Sequence, residues 1–168
     1  MSKVYHKVVF CLSAAVLLCI SSCASVNSKV YESSKLKSIN NWIIDFAYET
    51  GSVEELQKSS GDYERKVINK GQSSSDLQLR DDLYYTLKDN YSIPMSKAST
   101  ETTGIIQLHP IHFGDGGFQV LTVTLLDKKG ETIARLKIKN GDRVATFKNN
   151  DKFARYAAEG IAKAIIQN

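Results

Sequence analysis

The chain has 168 residues, of which 42% are hydrophobic and 24% charged, so it is long enough for one domain with a sizeable core but not for two. Its formal net charge is +4, and the part from Cys23 onward, with 20 basic and 18 acidic residues, carries +2. This near-neutral balance argues against a nucleic-acid-binding protein, because such proteins gather many Lys and Arg side chains in a stripe.

The first segment of the chain is typical of a secretion signal. Lys3 and Lys7 provide a basic start without any acid, and residues 8–20 are apolar apart from Ser13. As a helix this apolar stretch would be about 20 Å long. The hydrocarbon core of a membrane is about 30 Å thick, so we expect the segment to be removed rather than to remain as a membrane span.

The residues that follow, Ile20-Ser21-Ser22-Cys23, resemble the lipobox of bacterial lipoproteins. The resemblance implies that signal peptidase II removes residues 1–22 as a signal peptide by cutting between Ser22 and Cys23. It also implies that Cys23 carries a diacylglyceryl group on its thiol and a further fatty acid, such as palmitate, on its amino group. Because Cys11 and Cys19 would leave with the signal, we expect no thiol catalysis, disulfide or cysteine metal site.

Residues 23–38 are predicted to be the lipidated cysteine and a flexible tether. The stretch "ASVNSKVYESSKLKS" is rich in Ser, Lys and Asn. It would span about 50 Å when fully extended and about 20 Å as a random coil. Ala24 and Ser25 follow the cysteine, where Gram-negative lipoproteins of the inner membrane commonly have an aspartate. The resemblance therefore implies an outer-membrane protein that faces the periplasm.

Residues 39–168 are predicted to form a single globular domain. Trp42, Ile44 and Phe46 alternate with other residues at period two, which predicts a strand. A short helix near residues 53–58 and a strand fragment in "YERKVI" are the two further predictions for the next segment.

A helix is predicted from about Asp76 to Asn90. Ser75 can cap its start, with Gln78 completing a capping box. Leucines at positions 79, 83 and 87 form one apolar stripe. "YSIPMS", which follows, is predicted to be a short edge strand because Pro94 cannot donate to a central ladder.

Three consecutive strands and a helix complete the domain. In "GIIQLHPIHF" the apolar phase slips by one residue, which predicts a β-bulge at His109-Pro110. "FQVLTVTLLD" and "ETIARLKIK" alternate cleanly, and the second directs Ile133, Arg135 and Lys137 outward. We interpret the basic series Arg135, Lys137 and Lys139 as a solvated strand edge or face. Apolar residues at helical spacing from Phe153 to Ile165 predict a terminal helix capped by Asn150.

This order predicts an α+β fold: a two-layer sandwich in which two main helices pack on one face of a mostly antiparallel sheet of about four to five strands. The element order and a "D-x-x-G-x-x-x-A" turn from Asp127 to Ala134 resemble small domains of the TolB N-terminal type. Such domains also occur in outer-membrane lipoproteins that activate penicillin-binding proteins.

No catalytic set is evident in the predicted domain. His109 and His112 are two metal-ligand types, but residues three apart point to opposite faces of a regular strand, and two ligands do not complete a zinc site. Asp81 and Asp82 are neighbours on a helix, so their side chains diverge by about 100° and cannot share a proton. "GDGG" at 114–117 lacks the Lys-Ser/Thr of a phosphate-binding loop. We therefore expect no catalytic residue, metal or cofactor.

The remaining candidates are residues for protein contact, because exposed tyrosines often mark contact surfaces. We predict a contact surface that comprises Tyr85, Tyr91, Val120, Thr122 and Ile133. The sequence thus favours a lipid-anchored, non-enzymatic binding or assembly protein of the cell envelope, with an envelope protein as partner and no nucleic acid. The alternatives are a membrane-anchored envelope hydrolase and a purely structural domain that associates with itself.

Overall fold

A computed structural model describes residues 25–47, 53–59, 62–68, 73–113, 117–140 and 150–167. The strands are β1 (Ser25–Val30), β2 (Asn41–Phe46), β3 (Val53–Ser59), β4 (Asp62–Ile68), β5 (Thr103–Phe113), β6 (Phe118–Leu126) and β7 (Thr132–Lys139). The helices are α1 (Ser33–Lys37), α2 (Ser74–Tyr85) and α3 (Asn150–Ile166), and a π-helical turn at Thr86–Asn90 extends α2.

All seven strands belong to one mixed sheet. Its order is β1-β7-β6-β5-β3-β4, and β2 pairs with β5 as well. β2 lies parallel to the first part of β5, with Asn41 opposite Thr103, and β3 lies parallel to its end, with Glu54 opposite Ile111. β2 and β3 therefore follow one another along the same edge of β5.

The predicted α+β two-layer sandwich is confirmed, but the sheet has more strands than the four to five expected. α2 contacts β2, while α3 contacts β1, β6 and β7. The additional strands lie where period two was weak or absent from the sequence. Val53–Ser59, where a short helix was expected, is strand β3, because it pairs with β4 on one side and with β5 on the other. The strand expected in "YERKVI" is confirmed as part of β4.

The predicted tether is wrong for most of its length. Ser25–Val30 forms β1, which pairs antiparallel with β7, and Ser33–Lys37 forms α1. Lys35 fixes α1 to the turn between β6 and β7 by an ion pair of 2.6 Å to Glu131. The average composition of the segment concealed a two-residue alternation, because Val26 and Val30 face the core while Asn27 and Lys29 are exposed.

The start of α2 also differs from the prediction. Ser73, not Ser75, is the N-cap: its hydroxyl accepts from the Asp76 N–H and its own N–H donates to Asp76 Oδ2, each at 3.1 Å. Asp76 thus takes the place expected for Gln78 in the capping box. Tertiary structure selects which serine caps the helix, because Asp76 is fully buried and hydrogen-bonded to His112 of β5. The leucine stripe at 79, 83 and 87 is buried as predicted.

β5 is continuous through Pro110, which pairs with Leu121. The irregularity predicted at His109-Pro110 lies instead between Ile111 and His112, at the end of the strand next to β6. The predicted edge strand "YSIPMS" is reduced to an isolated bridge between Met95 and Trp42. The chain at Pro94 and Ser96 nevertheless bonds to both backbone groups of Trp42.

Two glycines allow close approaches, one within the sheet and one between the sheet and α3. A Cβ atom at Gly104 would lie 2.6 Å from the Trp42 ring, so the indole needs a glycine beneath it on β5. In α3, a Cβ atom at Gly160 would lie 3.0 Å from Val26, so the helix contacts β1 closely. The small inner face predicted for the terminal helix is confirmed, since Ala157, Gly160 and Ala164 are buried. None of the described helices has the length and apolar character needed to cross a bilayer.

Candidate functional site

The predicted contact residues do not form one surface. Tyr85 is 56% exposed on α2, and Tyr91, beyond the π-helical turn, is half-buried against the core. Val120 and Thr122 are half-buried on β6, on the face of the sheet opposite to the one that carries the buried Leu121 and the helices. The tyrosines and the β6 residues therefore lie on opposite sides of the sandwich.

Ile133 was predicted to point outward, and this is wrong, since it is fully buried. α1 contacts β7 and buries Leu36 in the same core. The backbone N–H of Tyr31 also donates to the Ile133 carbonyl oxygen at 2.8 Å. The register between β6 and β7 shifts between Leu125 and Leu126, which leaves Ile133 as an extra residue on β7. The alternation therefore breaks at this residue, and Ile133 is buried together with its neighbour Ala134.

The two histidines diverge. His109 is half-buried at an outward position of β5, whereas His112 is 3% exposed and lies against Phe118 with ring centroids 4.6 Å apart. Phe118 in turn stacks on Phe153 of α3. His112 Nε2 and Asp76 Oδ1 are 2.8 Å apart, and because an ionised carboxylate only accepts, the imidazole N–H donates. Among the described residues, no group of three metal-ligating side chains is present.

Burial of Asp76 disfavours its charged form, but the hydrogen bond from His112, the electrostatic attraction to the His112 ring and the bonds from Ser73 outweigh it. The pKa of Asp76 is therefore lower than usual. An Asp–His pair of this kind can orient an imidazole for catalysis. Here both side chains are buried to 4% exposure or less, so the pair joins the start of α2 to the end of β5.

Asp81 and Asp82 diverge as their helical spacing predicts. Asp81 is exposed and pairs with Arg80 at 2.9 Å. Asp82 lies instead beside Asp151 of α3, and burial together with the charges of Asp151 and Asp81 raises the pKa of Asp82. The two carboxylates thus have different neighbours and do not share a proton.

A groove of about 410 Å³ lies between β2 and α2. Tyr84 and Tyr85 line it and meet edge to face, with ring centroids 5.3 Å apart. The rest of its wall combines apolar, charged and hydroxyl side chains: Ile43, Ile44, Asp45, Arg80, Asp81, Ser96 and Lys97. Of the predicted contact residues, only Tyr85 lines this groove.

The floor of the groove includes an unpaired strand edge. The N–H and C=O of Trp42 point away from β5 and bond to Pro94 and Ser96 at 2.9 and 2.8 Å. Since the direction of these groups alternates along a strand, those of Ile44 also point away from β5. Within the described residues they have no partner. Sequence reasoning missed this feature, because an open backbone edge depends on tertiary pairing and leaves no residue pattern.

No protein-family profile matches the chain, and no curated protein matches it either. Several solved structures resemble it, including the following two. One, described as an uncharacterized protein, has 19% sequence identity and a TM-score of 0.41, over 82% of this chain and 97% of its own. The other is a PelC variant from Paraburkholderia phytofirmans, described as a dodecamer, with 8% identity and a TM-score of 0.43, over 86% of this chain and 98% of its own.

Proposed function

We propose that this chain is a lipid-anchored protein of the bacterial cell envelope whose domain binds an extended segment of a partner protein without catalysing a reaction. The observation that carries the binding role is the unpaired edge at Ile44, which lies in a groove with two tyrosines. The anchor rests on the lipobox that ends at Cys23.

The lipid at Cys23 would hold the protein durably after residues 1–22 are removed. One acyl chain binds a membrane only marginally, whereas two or three chains on a single residue give stable anchoring. Ala24 and Ser25 after the cysteine favour the periplasmic face of the outer membrane.

The groove suits a peptide in extended conformation. A strand that lies along β2 could bond to the free N–H and C=O of Ile44 and so continue the sheet. Tyr85 offers a large apolar surface with a polar tip, and Arg80 and Lys97 add charge at the rim. Backbone pairing would supply affinity and these side chains would supply selectivity.

Two other functions remain as alternatives. A hydrolase would need an accessible acid, base or nucleophile, and the buried pair of Asp76 and His112 in the described domain is closed off from solvent. A second copy of the chain could also occupy the edge at Ile44, which would make the protein a self-associating structural domain. The groove experiment distinguishes this alternative from partner binding.

A photo-crosslinking amino acid at position 85 should give a discrete adduct with another envelope protein in intact cells. The matched control is position 31, because Tyr31 is 50% exposed but lies near α1 at the other end of the sheet order. Ile44→Pro removes the N–H that points into the groove without removing a bond to β5, so it should abolish the adduct. Equal adducts from positions 85 and 31 would contradict the proposal, and an adduct with a second copy of the chain would support self-association.

Cys23→Ala should abolish incorporation of labelled fatty acid and leave a larger precursor that keeps residues 1–22. The reason is that both lipid attachment and signal cleavage require this cysteine in the lipobox. Labelled palmitate and gel mobility measure the two effects. Cys19→Ala is the matched control, because it removes a nearby thiol of the leader and should leave labelling intact. Unchanged labelling of Cys23→Ala would rule out the anchor.

A further inference from the structure

We propose that the outward face of β1 and β7 is a docking surface for anionic phospholipid headgroups. The proposal rests on the lipid anchor proposed above and adds a second, electrostatic contact with the same membrane. We call this surface the basic face; it comprises Lys29, Arg135, Lys137 and Lys139.

Three of the four cations of the basic face lie away from the sheet edge. The sequence predicted a solvated strand edge or face for the series Arg135, Lys137 and Lys139, and the structure shows a face, because β7 is an interior strand with β1 on one side and β6 on the other. Its inward residues Ala134, Leu136 and Ile138 are buried, so Arg135, Lys137 and Lys139 project from the opposite face, and all three are exposed. Protection against edge pairing therefore cannot explain them.

The four cations repel one another. Lys29 is the register partner of Arg135, and side chains directly opposite on neighbouring strands have Cβ atoms about 5 Å apart. Arg135, Lys137 and Lys139 follow at intervals of about 7 Å along β7. Like charges in such positions destabilise a sheet. In the part of the chain that the structure describes, none of the four forms an ion pair.

The neighbouring side chains on the same face do not neutralise this charge. Thr122 and Thr124 of β6 lie opposite Lys137 and Arg135. On the next strand, β5, His109 lies opposite Thr122 and Gln107 lies opposite Thr124. Asp45 on β2, paired with Gln107, is the nearest carboxylate in these rows and lies beyond both β6 and β5. An anionic surface would thus relieve a repulsion that the described residues leave uncompensated.

The position of the anchor favours membrane lipid over a soluble anion. β1 begins two residues after Cys23, so the lipidated residue lies within about 7 Å of Ser25. Ser25 is the register partner of Lys139, the last cation of the basic face. A lipid at Cys23 would therefore bring this end of the face to the headgroup layer, where each Lys or Arg strengthens binding about fivefold.

The test uses the chain from Ala24 to Asn168, which contains every described strand and helix. It carries no lipid, because it lacks Cys23. It should sediment with vesicles that contain about 30% phosphatidylglycerol in phosphatidylcholine, and not with phosphatidylcholine alone. Binding should fall steeply as salt rises above about 0.1 M. Replacing Arg135, Lys137 and Lys139 together by Gln should weaken the apparent affinity about 100-fold.

The matched control replaces Lys128, Lys129 and Lys152 by Gln, which removes the same net charge from a turn and from α3. It should keep the affinity within about threefold, because these exposed lysines lie off the basic face. The melting temperature of the first triple variant should not fall, since it loses a repulsion, so unfolding cannot explain its loss of binding.

Three results would overturn the proposal: equal losses in both triple variants, equal binding to vesicles of phosphatidylcholine alone, or retention on heparin without any vesicle binding. The last result would assign the face to a soluble polyanion. Because the tested chain lacks the lipid, an absence of vesicle binding would not contradict the anchor at Cys23. In the same way, an absence of fatty-acid labelling would not affect the vesicle measurement.

Discussion

Asp76→Ala is expected to lower the free energy of unfolding by about 2–4 kcal/mol, because a buried N–H left without its acceptor costs about 1–3 kcal/mol and the loss of a helix cap about 1 kcal/mol. The substitution leaves the His112 imidazole buried without the carboxylate that lies 2.8 Å away. It also removes the acceptor for the Ser73 N–H at the start of α2. One side chain thus serves both the capping box and the connection between the two layers.

Asp81→Ala is the matched control, because Asp81 lies on the same helix but is exposed and pairs only with Arg80 in the described structure. Its effect should stay within about 0.5 kcal/mol. Urea unfolding of both variants measures the difference. A similar small loss for Asp76→Ala would mean that the pair with His112 does not hold α2 on the sheet.

The pair of Asp76 and His112 also makes the stability of the fold depend on pH in the acid range. Because the pKa of Asp76 is lowered in the folded protein, its charged form stabilises the fold at pH values above its unfolded pKa of about 3.9. This contribution is lost as the pH falls below that value and through the lower, folded pKa. Asp76→Asn should therefore lose less stability than the wild type between neutral pH and about pH 3. Parallel acid unfolding curves would contradict the assignment.

The sequence predicted those parts of the fold in which a local pattern is repeated often enough. β6 and β7 alternate over most of their length, α3 has apolar residues at helical spacing from Phe153 to Ile165, and all three elements form as expected. β1 has only two valines within six residues, so its composition resembled a linker. Its pairing with β7 is a long-range contact that no window of sequence contains.

The candidate site was harder to predict, for the same reason. Tyr85 was predicted because tyrosine is a residue type that is common at contact surfaces, and the structure shows it exposed in the wall of the groove. The open edge at Ile44 was not, because it depends on where the segment at Pro94 to Ser96 ends its pairing with β2. Ile133 was assigned to the surface because the alternation of β7 was extended to it, whereas the register between β6 and β7 shifts there and buries Ile133 and Ala134 together.

The two proposed contacts lie at different places in the sheet. The groove adjoins β2, which pairs with β5, whereas the basic face lies on β1 and β7, with β6 between. An anchor next to β1 therefore leaves the groove away from the anchored edge. A domain held by that edge could bind the membrane and a partner protein at the same time.

Val26→Asp tests whether β1 is part of the fold, and we expect it to lower the free energy of unfolding by about 2–3 kcal/mol. Val26 is half-buried against the core, and a Cβ atom at Gly160 of α3 would lie only 3.0 Å from its side chain, so the two elements are in tight contact. The new carboxylate would lie between β1 and α3, where Lys163 is already paired with Glu159 at 2.6 Å.

Asn27→Asp adds the same charge one residue later, on the exposed face of the strand, and should change stability by less than about 0.5 kcal/mol. Urea unfolding of the chain from Ala24 measures both. If both variants matched the wild type, residues 25–30 would behave as a tether, and the anchor would no longer hold the basic face close to the membrane.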